Sequence, residues 1–122
     1  MKCADGLLFA FNEDGFLPGK LDSNWNARSA WSCLTGTAQL AHCMLMLHQE
    51  SNEAKYRQAG MLANQYVRRT IKVDGPHEIR GGVKGSFPLD GGYGTYQYLN
   101  WACKFMVDAS MLEQQLQIKR AL

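Results

Sequence analysis

The side chains best suited to binding a polar ligand lie in one glycine-rich stretch, Ile79–Asn100. Seven of the chain's twelve glycines fall between Gly75 and Gly94, interleaved with cations, a serine and three tyrosines. An arginine binds a carboxylate or phosphate through a bidentate fork, and a lysine binds it as a point charge. Tyrosines stack on sugar rings or donate a phenolic proton. The candidate ligand-binding residues are therefore Arg80, Lys84, Ser86, Tyr93, Tyr96, Tyr98 and Asn100, with Trp31 as a further aromatic platform.

The same stretch has a second interpretation, in which it only builds the fold. Connections longer than about 12–15 residues are uncommon in compact domains, and those that occur are mostly functional or disordered. Val83, Phe87 and Leu89 give this one apolar groups to bury, which favours an ordered loop. In the alternative interpretation the glycines permit tight turns, the tyrosines pack, Arg80 caps helix carbonyls, Lys84 is solvated and the tryptophans belong to the core.

Composition indicates an ordinary globular protein of 122 residues in a single domain. Its 46% hydrophobic and 20% charged residues are typical of such proteins. A net charge of +2 with scattered basic residues argues against nucleic acid as a partner. No apolar run approaches the roughly 20 residues of a membrane span, and the N-terminus does not resemble a signal peptide. We expect a cytoplasmic protein with no membrane contact.

The four cysteines have no spacing typical of a metal site or a disulfide framework. Zinc could be imagined on two cysteines and two histidines of the first predicted helix, but those histidines are six residues apart and face different directions. Reduced thiols and no cofactor are the expectation. The residues concerned are Cys3, Cys33, Cys43 and Cys103, with His42 and His48.

Periodicity predicts three helices, near residues 32–49, 53–72 and 100–120, after a loop-rich segment 1–31 with a short strand at Leu7–Phe11. The first two helices form an antiparallel hairpin, with Asn52 as the predicted cap of the second. Residues 73–99 form the glycine- and tyrosine-rich loop, and Asn100 caps the helix that continues to about residue 122.

Each predicted helix has a distinct apolar pattern. The first is apolar around nearly its whole circumference, which predicts burial on all sides. The second is amphipathic, and the third has an apolar stripe with a Lys104–Asp108 pair beside it. The three predicted helices make only one helical hairpin and half of a second, which is too few to bury the first helix on all sides. We therefore expect a homo-oligomer or a missing partner domain. The stripe of the third helix is Trp101, Phe105, Ala109, Leu112 and Leu116.

Three motifs in this order resemble one bacterial group of helical proteins. They are CLTG at Cys33–Gly36, RGGVKGS at Arg80–Ser86 and YLNWACKF at Tyr98–Phe105, preceded by FLPGKLDSNW at Phe16–Trp25. The stretch from about Gly15 to Glu113 is similar to the C-terminal part of α/α-toroid proteins of the prenyltransferase/squalene-oxidase-repeat-like, or terpenoid-cyclase-like, group. The resemblance implies an all-α fold that is part of a larger α/α toroid.

The resemblance leaves three functions open. Many members of the group occur with polysaccharide biosynthesis genes, and carbohydrate-active toroids share a similar inner helix and glycine-rich loop. The resemblance therefore implies a protein that binds or modifies an acidic glycan, or that binds a phosphate-bearing small molecule. The alternatives are a non-catalytic structural or interaction module and, more weakly, an isoprenoid-handling protein. The acidic DxDD motif of squalene-type cyclases and the zinc ligands of protein prenyltransferases are absent from the sequence.

Overall fold

The computed structural model describes residues 2–122 and has a mostly helical fold, as predicted. Four helices are joined by loops and by one antiparallel two-stranded sheet. No helix in this part of the chain combines the length and apolarity needed to cross a membrane. In chain order the elements are α1 (Lys2–Ala10), β1 (Ser32–Cys33), α2 (Leu34–Ser51), α3 (Ala54–Thr70), β2 (Ser86–Phe87) and α4 (Asn100–Ala121).

The core forms where α2, α3 and α4 meet. Leu34 and Ala102, at the first turns of α2 and α4, pack with Val67 from the end of α3. Ala41 and Ala109 meet at mid-height of the same two helices. Because their beginnings and middles pair in this order, α2 and α4 run parallel side by side. The returning helix α3 lies antiparallel behind them.

The predicted hairpin of α2 and α3 is confirmed, but its turn works differently. Asn52 adopts the left-handed conformation with φ 58° and ends α2, its N–H donating to the carbonyl of His48. Asparagine tolerates this conformation better than most residues. The residue that precedes α3 is Glu53, which makes no side-chain cap. The prediction that Asn52 caps α3 was therefore wrong by one residue.

The predicted strand at Leu7–Phe11 is wrong, because most of that segment belongs to α1. Its apolar residues pack on Met44, Tyr56 and Ala59 of the hairpin. They occur at positions i, i+3, i+4 and i+7, which is the spacing of one helix face and not the alternation of a strand. Asp5 fixes the helix by accepting hydrogen bonds from Lys55 Nζ and Tyr56 Oη, both at 2.8 Å. The packed residues of this segment are Ala4, Leu7, Leu8 and Phe11.

The apolar stripe of α3 is confirmed, the predicted burial of Trp101 on α4 is wrong, and α2 is left partly uncovered within the single chain, as expected of a helix that needs a partner. Helix α2 is covered on three sides by α1, α3 and α4, and its fourth side faces solvent. Gln39, Cys43 and Met46 lie there, with Met46 51% exposed. On α4, Trp101 is 48% exposed and does not join the buried stripe. The hydrophobic periodicity of both helices is real, but only part of each apolar surface is covered.

Residues 71–99 fold back over the first turns of α2 and α4. The sheet pairs Ser32 with Phe87 and Cys33 with Ser86. Two residues before Ser86, Lys84 forms an isolated antiparallel bridge with Tyr98. Val83 and Leu99 are buried in the main core. This segment therefore completes the core at one end of the helices.

Candidate functional site

Lys84 points into the protein. Lys84 is only 6% exposed, and its ammonium group donates a hydrogen bond to the carbonyl of Thr70, the last residue of α3. The rings of Phe87 and Tyr98 flank the ammonium, with centroids 5.8 and 5.7 Å away. Burial, and to a lesser extent the charge of Lys72, lower the pKa of Lys84 below its ordinary value. The ammonium group therefore supplies a hydrogen-bond donor to the last carbonyl of α3, and its burial shields it from an external anion.

Ser86 is likewise occupied by the chain itself. Its side chain is fully buried, donates to the carbonyl of Tyr93 at 2.5 Å and accepts from the Tyr93 N–H at 3.0 Å. One hydroxyl thereby holds the two sides of the loop together. The adjoining Gly85 makes this approach possible, since a Cβ there would lie 2.6 Å from the Tyr93 carbonyl oxygen and 2.9 Å from the Cα of Gly94.

Trp31 is half-buried under the same loop. A Cβ at Gly19 or at Gly92 would come within 2.2 or 2.8 Å of its indole ring. Glycine at these positions allows backbone to lie directly on the ring from two directions. Trp31 thus joins the N-terminal segment to the glycine-rich segment, with one part of its surface left exposed.

The other loop residues separate into exposed and packed groups. Arg80 is exposed, and its guanidinium makes no hydrogen bond or ion pair with another group in residues 2–122. Tyr96 is 71% exposed and adopts φ 59°. Tyr98 is half-buried and lies over Gly82, where an added Cβ would be 2.9 Å from its ring. Asn100 is exposed and is the first residue of α4, where its Oδ1 accepts from the N–H of Trp101 at 2.8 Å. The residue that precedes α4 is Leu99, so the prediction that Asn100 caps this helix was wrong by one residue.

An exposed aromatic pair lies at the beginning of α4. Trp101 Nε1 donates to the hydroxyl of Tyr93 at 3.2 Å, and the two residues are 48% and 38% exposed. The hydrogen bond orients the indole and the phenol relative to one another while leaving ring surface open. Such a pair offers flat apolar area beside polar atoms, which suits sugar rings as well as other amphipathic ligands.

A groove lies on the solvent-facing side of α2 and α4, and the first of its α4 residues follow Trp101 by about one helical turn. The groove has a volume of about 290 Å³. Trp101 precedes Lys104 by three residues and Phe105 by four, so all three share one face of α4. We call this surface the front face; it consists of the groove lining, Gln39, His42, Cys43, Met46, Lys104, Phe105 and Asp108, together with Trp101 one helical turn earlier on α4.

The polar groups of the front face are accessible. Lys104 and Asp108 form the predicted ion pair one turn apart, and their side chains are 64% and 32% exposed. The Lys104 ammonium also lies 5.0 Å from the centroid of the Phe105 ring. An exposed pair of this kind is weakly held in water, so a ligand carboxylate can compete with Asp108 for the lysine. The front face therefore combines aromatic side chains on α4, the accessible ammonium group of Lys104 and the side-chain amide of Gln39.

The structure brings together only part of the predicted site. Lys84, Ser86 and Trp31 hold the glycine-rich segment on the helices, while Tyr93 stands beside Trp101 on the surface. Sequence reasoning noticed Trp101 but assigned it to the core, because its spacing matches the apolar stripe of α4. The sequence feature that could have indicated exposure of Trp101 is Lys104. It follows Trp101 by three residues and so lies on the same helix face, and a charged side chain there indicates contact with solvent.

Within the described part of the chain, no group of three or more histidine, cysteine or acidic side chains is arranged to hold a metal ion. All four cysteines are free thiols, with Cys3 and Cys43 exposed. Comparison with models of known protein families, with curated proteins and with solved structures finds no match.

Proposed function

We propose that this chain binds an acidic glycan on its front face, as one part of an α/α toroid. The observation that carries the proposal is the exposed, hydrogen-bonded pair of Trp101 and Tyr93 beside an accessible lysine. The two aromatic residues stack on sugar rings, and Lys104 binds a carboxylate or sulfate of the ligand.

Two features support the toroid. Helices α2 and α4 run parallel with α3 antiparallel behind them, which is the order of inner and outer helices in such barrels. The front face of α2 and α4 is then the surface turned toward the barrel interior. Its exposed Cys43 and Met46 are more readily understood there than on an ordinary outer surface.

The alternative function, a structural or interaction module, is favoured by a different observation. Lys84 and Ser86, two of the residues expected to bind a ligand, have their polar groups bonded to the backbone of Thr70 and Tyr93. A glycine-rich segment folded flat in this way contributes to assembly of the fold. The two functions separate experimentally, because only the first requires a soluble acidic oligosaccharide to bind.

The test is isothermal titration calorimetry with an oligosaccharide of hexuronic acids and a neutral glucan of equal length. We expect binding of the acidic oligosaccharide only, and a loss of affinity of about tenfold for Trp101→Ala, the equivalent of one removed stacking contact. Val73→Ala is the matched control, since Val73 is an apolar residue, 81% exposed, in the loop after α3. No binding by the unaltered protein, or equal affinity of the Trp101→Ala variant, would reject the proposal.

A further inference from the structure

Helix α2 carries an imidazole, a thiol and a thioether on the front face, and the glycan site proposed above uses none of them. His42, Cys43 and Met46 line the same groove of about 290 Å³. Cys43 is exposed and Met46 is 51% exposed, so both sulfur-bearing side chains are accessible from solvent. Free cysteine is usually buried and methionine usually fills gaps in a core. Packing therefore does not explain why two soft sulfur groups and a histidine share one open groove.

The spacing of these three residues places them around a common point. Successive side chains of an α-helix differ in direction by about 100°, so Met46 projects between His42 and Cys43, one turn further along α2. Met46 follows His42 by four residues and Cys43 by three. At these two spacings side chains on a helix are neighbours, with Cβ atoms about 5–6 Å apart. An ion bound above this turn of α2 would therefore be within reach of all three side chains.

Within residues 2–122, no internal hydrogen bond competes for the donor atoms. The ring of His42 makes no hydrogen bond with another group in this range, whereas Nδ1 of His48 lies 3.0 Å from a backbone carbonyl oxygen. The sulfurs of Cys33 and Cys103 accept from backbone N–H groups at 3.4 and 3.3 Å. The sulfur of Cys43 has no such donor in the described part of the chain, so it is available to an ion.

The donor set indicates which kind of ion fits. Structural zinc sites use four ligands, drawn mostly from cysteine and histidine. In residues 2–122 no three histidine, cysteine or acidic side chains are grouped to hold a metal ion, and here one imidazole and one thiol meet a thioether. Thiolate and thioether sulfur favour the soft ion Cu(I) over harder divalent ions. Across the groove the carboxylate of Asp108 is paired with Lys104, so it does not shift this preference.

We propose that His42, Cys43 and Met46 form a binding site for one copper(I) ion on the α2 side of the front face. When the ion binds, the Cys43 thiol releases its proton to solvent and a copper–sulfur bond forms. A nitrogen of the neutral His42 ring and the Met46 thioether each donate an electron pair to the ion. Copper stays in the +1 state, so no oxidant or reductant takes part. The site does not depend on the proposed function, because none of its residues is assigned a contact with the glycan.

The first test is an anaerobic competition for copper(I) between the full chain and the chromogenic chelator bicinchoninate. We expect the unaltered protein to withdraw one tightly bound equivalent per chain. Met46→Leu and Cys43→Ser should each lower the affinity at least about tenfold, because losing even an outer partner of a metal ligand typically costs about 10–100-fold. Both positions are exposed, so circular dichroism of the variants should be unchanged.

Two matched variants distinguish this site from isolated sulfur groups. Cys3→Ser removes the other exposed thiol, and Met111→Leu removes a thioether on α4 that is 55% exposed. Neither residue has a histidine, cysteine or methionine three or four residues away, so both variants should keep the affinity. Equal weakening by either control would overturn the proposal. So would binding of one ion per two chains, which would mean that two copies share it through their thiols.

The decisive readout is the methionine methyl spectrum during titration with silver(I), a redox-inert ion of the same charge and similar softness. The chain has six methionines, and the Met46→Leu variant identifies the Met46 signal by its absence. One equivalent of silver should shift the Met46 signal and leave that of Met111 in place. If silver binds while the Met46 signal stays unchanged, the ligand is a cysteine alone and the proposal is overturned. Failure of the unaltered protein to compete with bicinchoninate would overturn it as well.

Discussion

Two groups of polar and aromatic side chains lie within one end of this molecule and have opposite roles. The inner group consists of Lys84, Ser86 and Trp31. It faces the protein interior and holds the non-helical segment 71–99 in place. The outer group, Tyr93, Trp101 and Lys104, faces solvent. Lys84, Ser86 and Tyr93 all come from the stretch that the sequence marks as functional, yet of these three only Tyr93 is accessible to a ligand.

The difference follows from where backbone hydrogen bonds are satisfied. A helix satisfies its own N–H and C=O groups, so side chains on α4 are free to face outward. The segment 71–99 satisfies part of its backbone through β2, one isolated bridge and turns, and side chains supply some of the remaining partners. Ser86 supplies two for Tyr93, and Lys84 supplies one for the end of α3. Polar side chains in a glycine-rich connection thus often form hydrogen bonds that hold that connection, and they are then not free to bind a ligand.

The largest expected effect comes from Gly85→Ala. The new methyl group would lie within 3 Å of backbone atoms of Tyr93 and Gly94, which cannot move without opening the loop. We expect a loss of about 2–3 kcal/mol of unfolding free energy, the range of an overpacked core. Urea denaturation measures it. Gly36→Ala is the control, since a Cβ there makes only ordinary contacts with Cys33, and equal destabilisation by both would contradict the account.

Ser86→Ala is expected to cost about 1–3 kcal/mol, because it removes the partner of the part-buried N–H and carbonyl of Tyr93. Thermal unfolding measures the change. Ser23→Ala, at an exposed serine of the N-terminal segment, should leave Tm unchanged. An unchanged Tm for the Ser86→Ala protein would show that the hydroxyl does not hold the loop.

Lys84 and Lys104 should differ in their effect on stability at alkaline pH. The pKa of Lys84 is lowered in the folded state, so between the folded pKa and the ordinary value of 10.5 the unfolded chain binds more protons. Its contribution makes the free energy of unfolding rise with pH in that window. Lys84→Met should reduce this rise, measured by urea denaturation from pH 8 to 10.5. Lys104→Met, at an exposed position, serves as the comparison, and equal slopes for both variants would contradict the burial of Lys84.

The smallest effect on stability is expected for Arg80→Ala. Arg80 is exposed, so its removal should change the unfolding free energy by less than about 0.5 kcal/mol. Affinity for an acidic oligosaccharide should change by less than for Trp101→Ala, because Arg80 is not one of the residues of the front face. Calorimetry and thermal unfolding of one purified variant test both statements. A lower Tm without ligand would instead assign Arg80 a role in the fold.

The helices were predictable from sequence because their signals are local. Apolar periodicity predicted α2, α3 and α4 with bounds within two residues of those observed, and the same rule applied to Leu7–Phe11 would have predicted α1 in place of a strand. Side-chain direction in the loop was not predictable, since Lys84 meets Thr70 and Trp31 meets Gly92 only after the segment folds back. Nor does periodicity tell whether an apolar stripe, such as that containing Trp101, is covered by another element.

The most direct test of the central claim is a paired measurement on Trp101→Ala and Ser86→Ala. Each variant is titrated with the acidic oligosaccharide well below its Tm, and each is also unfolded thermally without ligand. The account predicts different results: Trp101→Ala loses affinity and keeps its Tm, whereas Ser86→Ala lowers Tm and loses less affinity than Trp101→Ala, because it loosens Tyr93 but leaves Trp101 and Lys104 in place. If Ser86→Ala loses binding at unchanged Tm while Trp101→Ala binds normally, the inner group is the ligand site and the account is wrong.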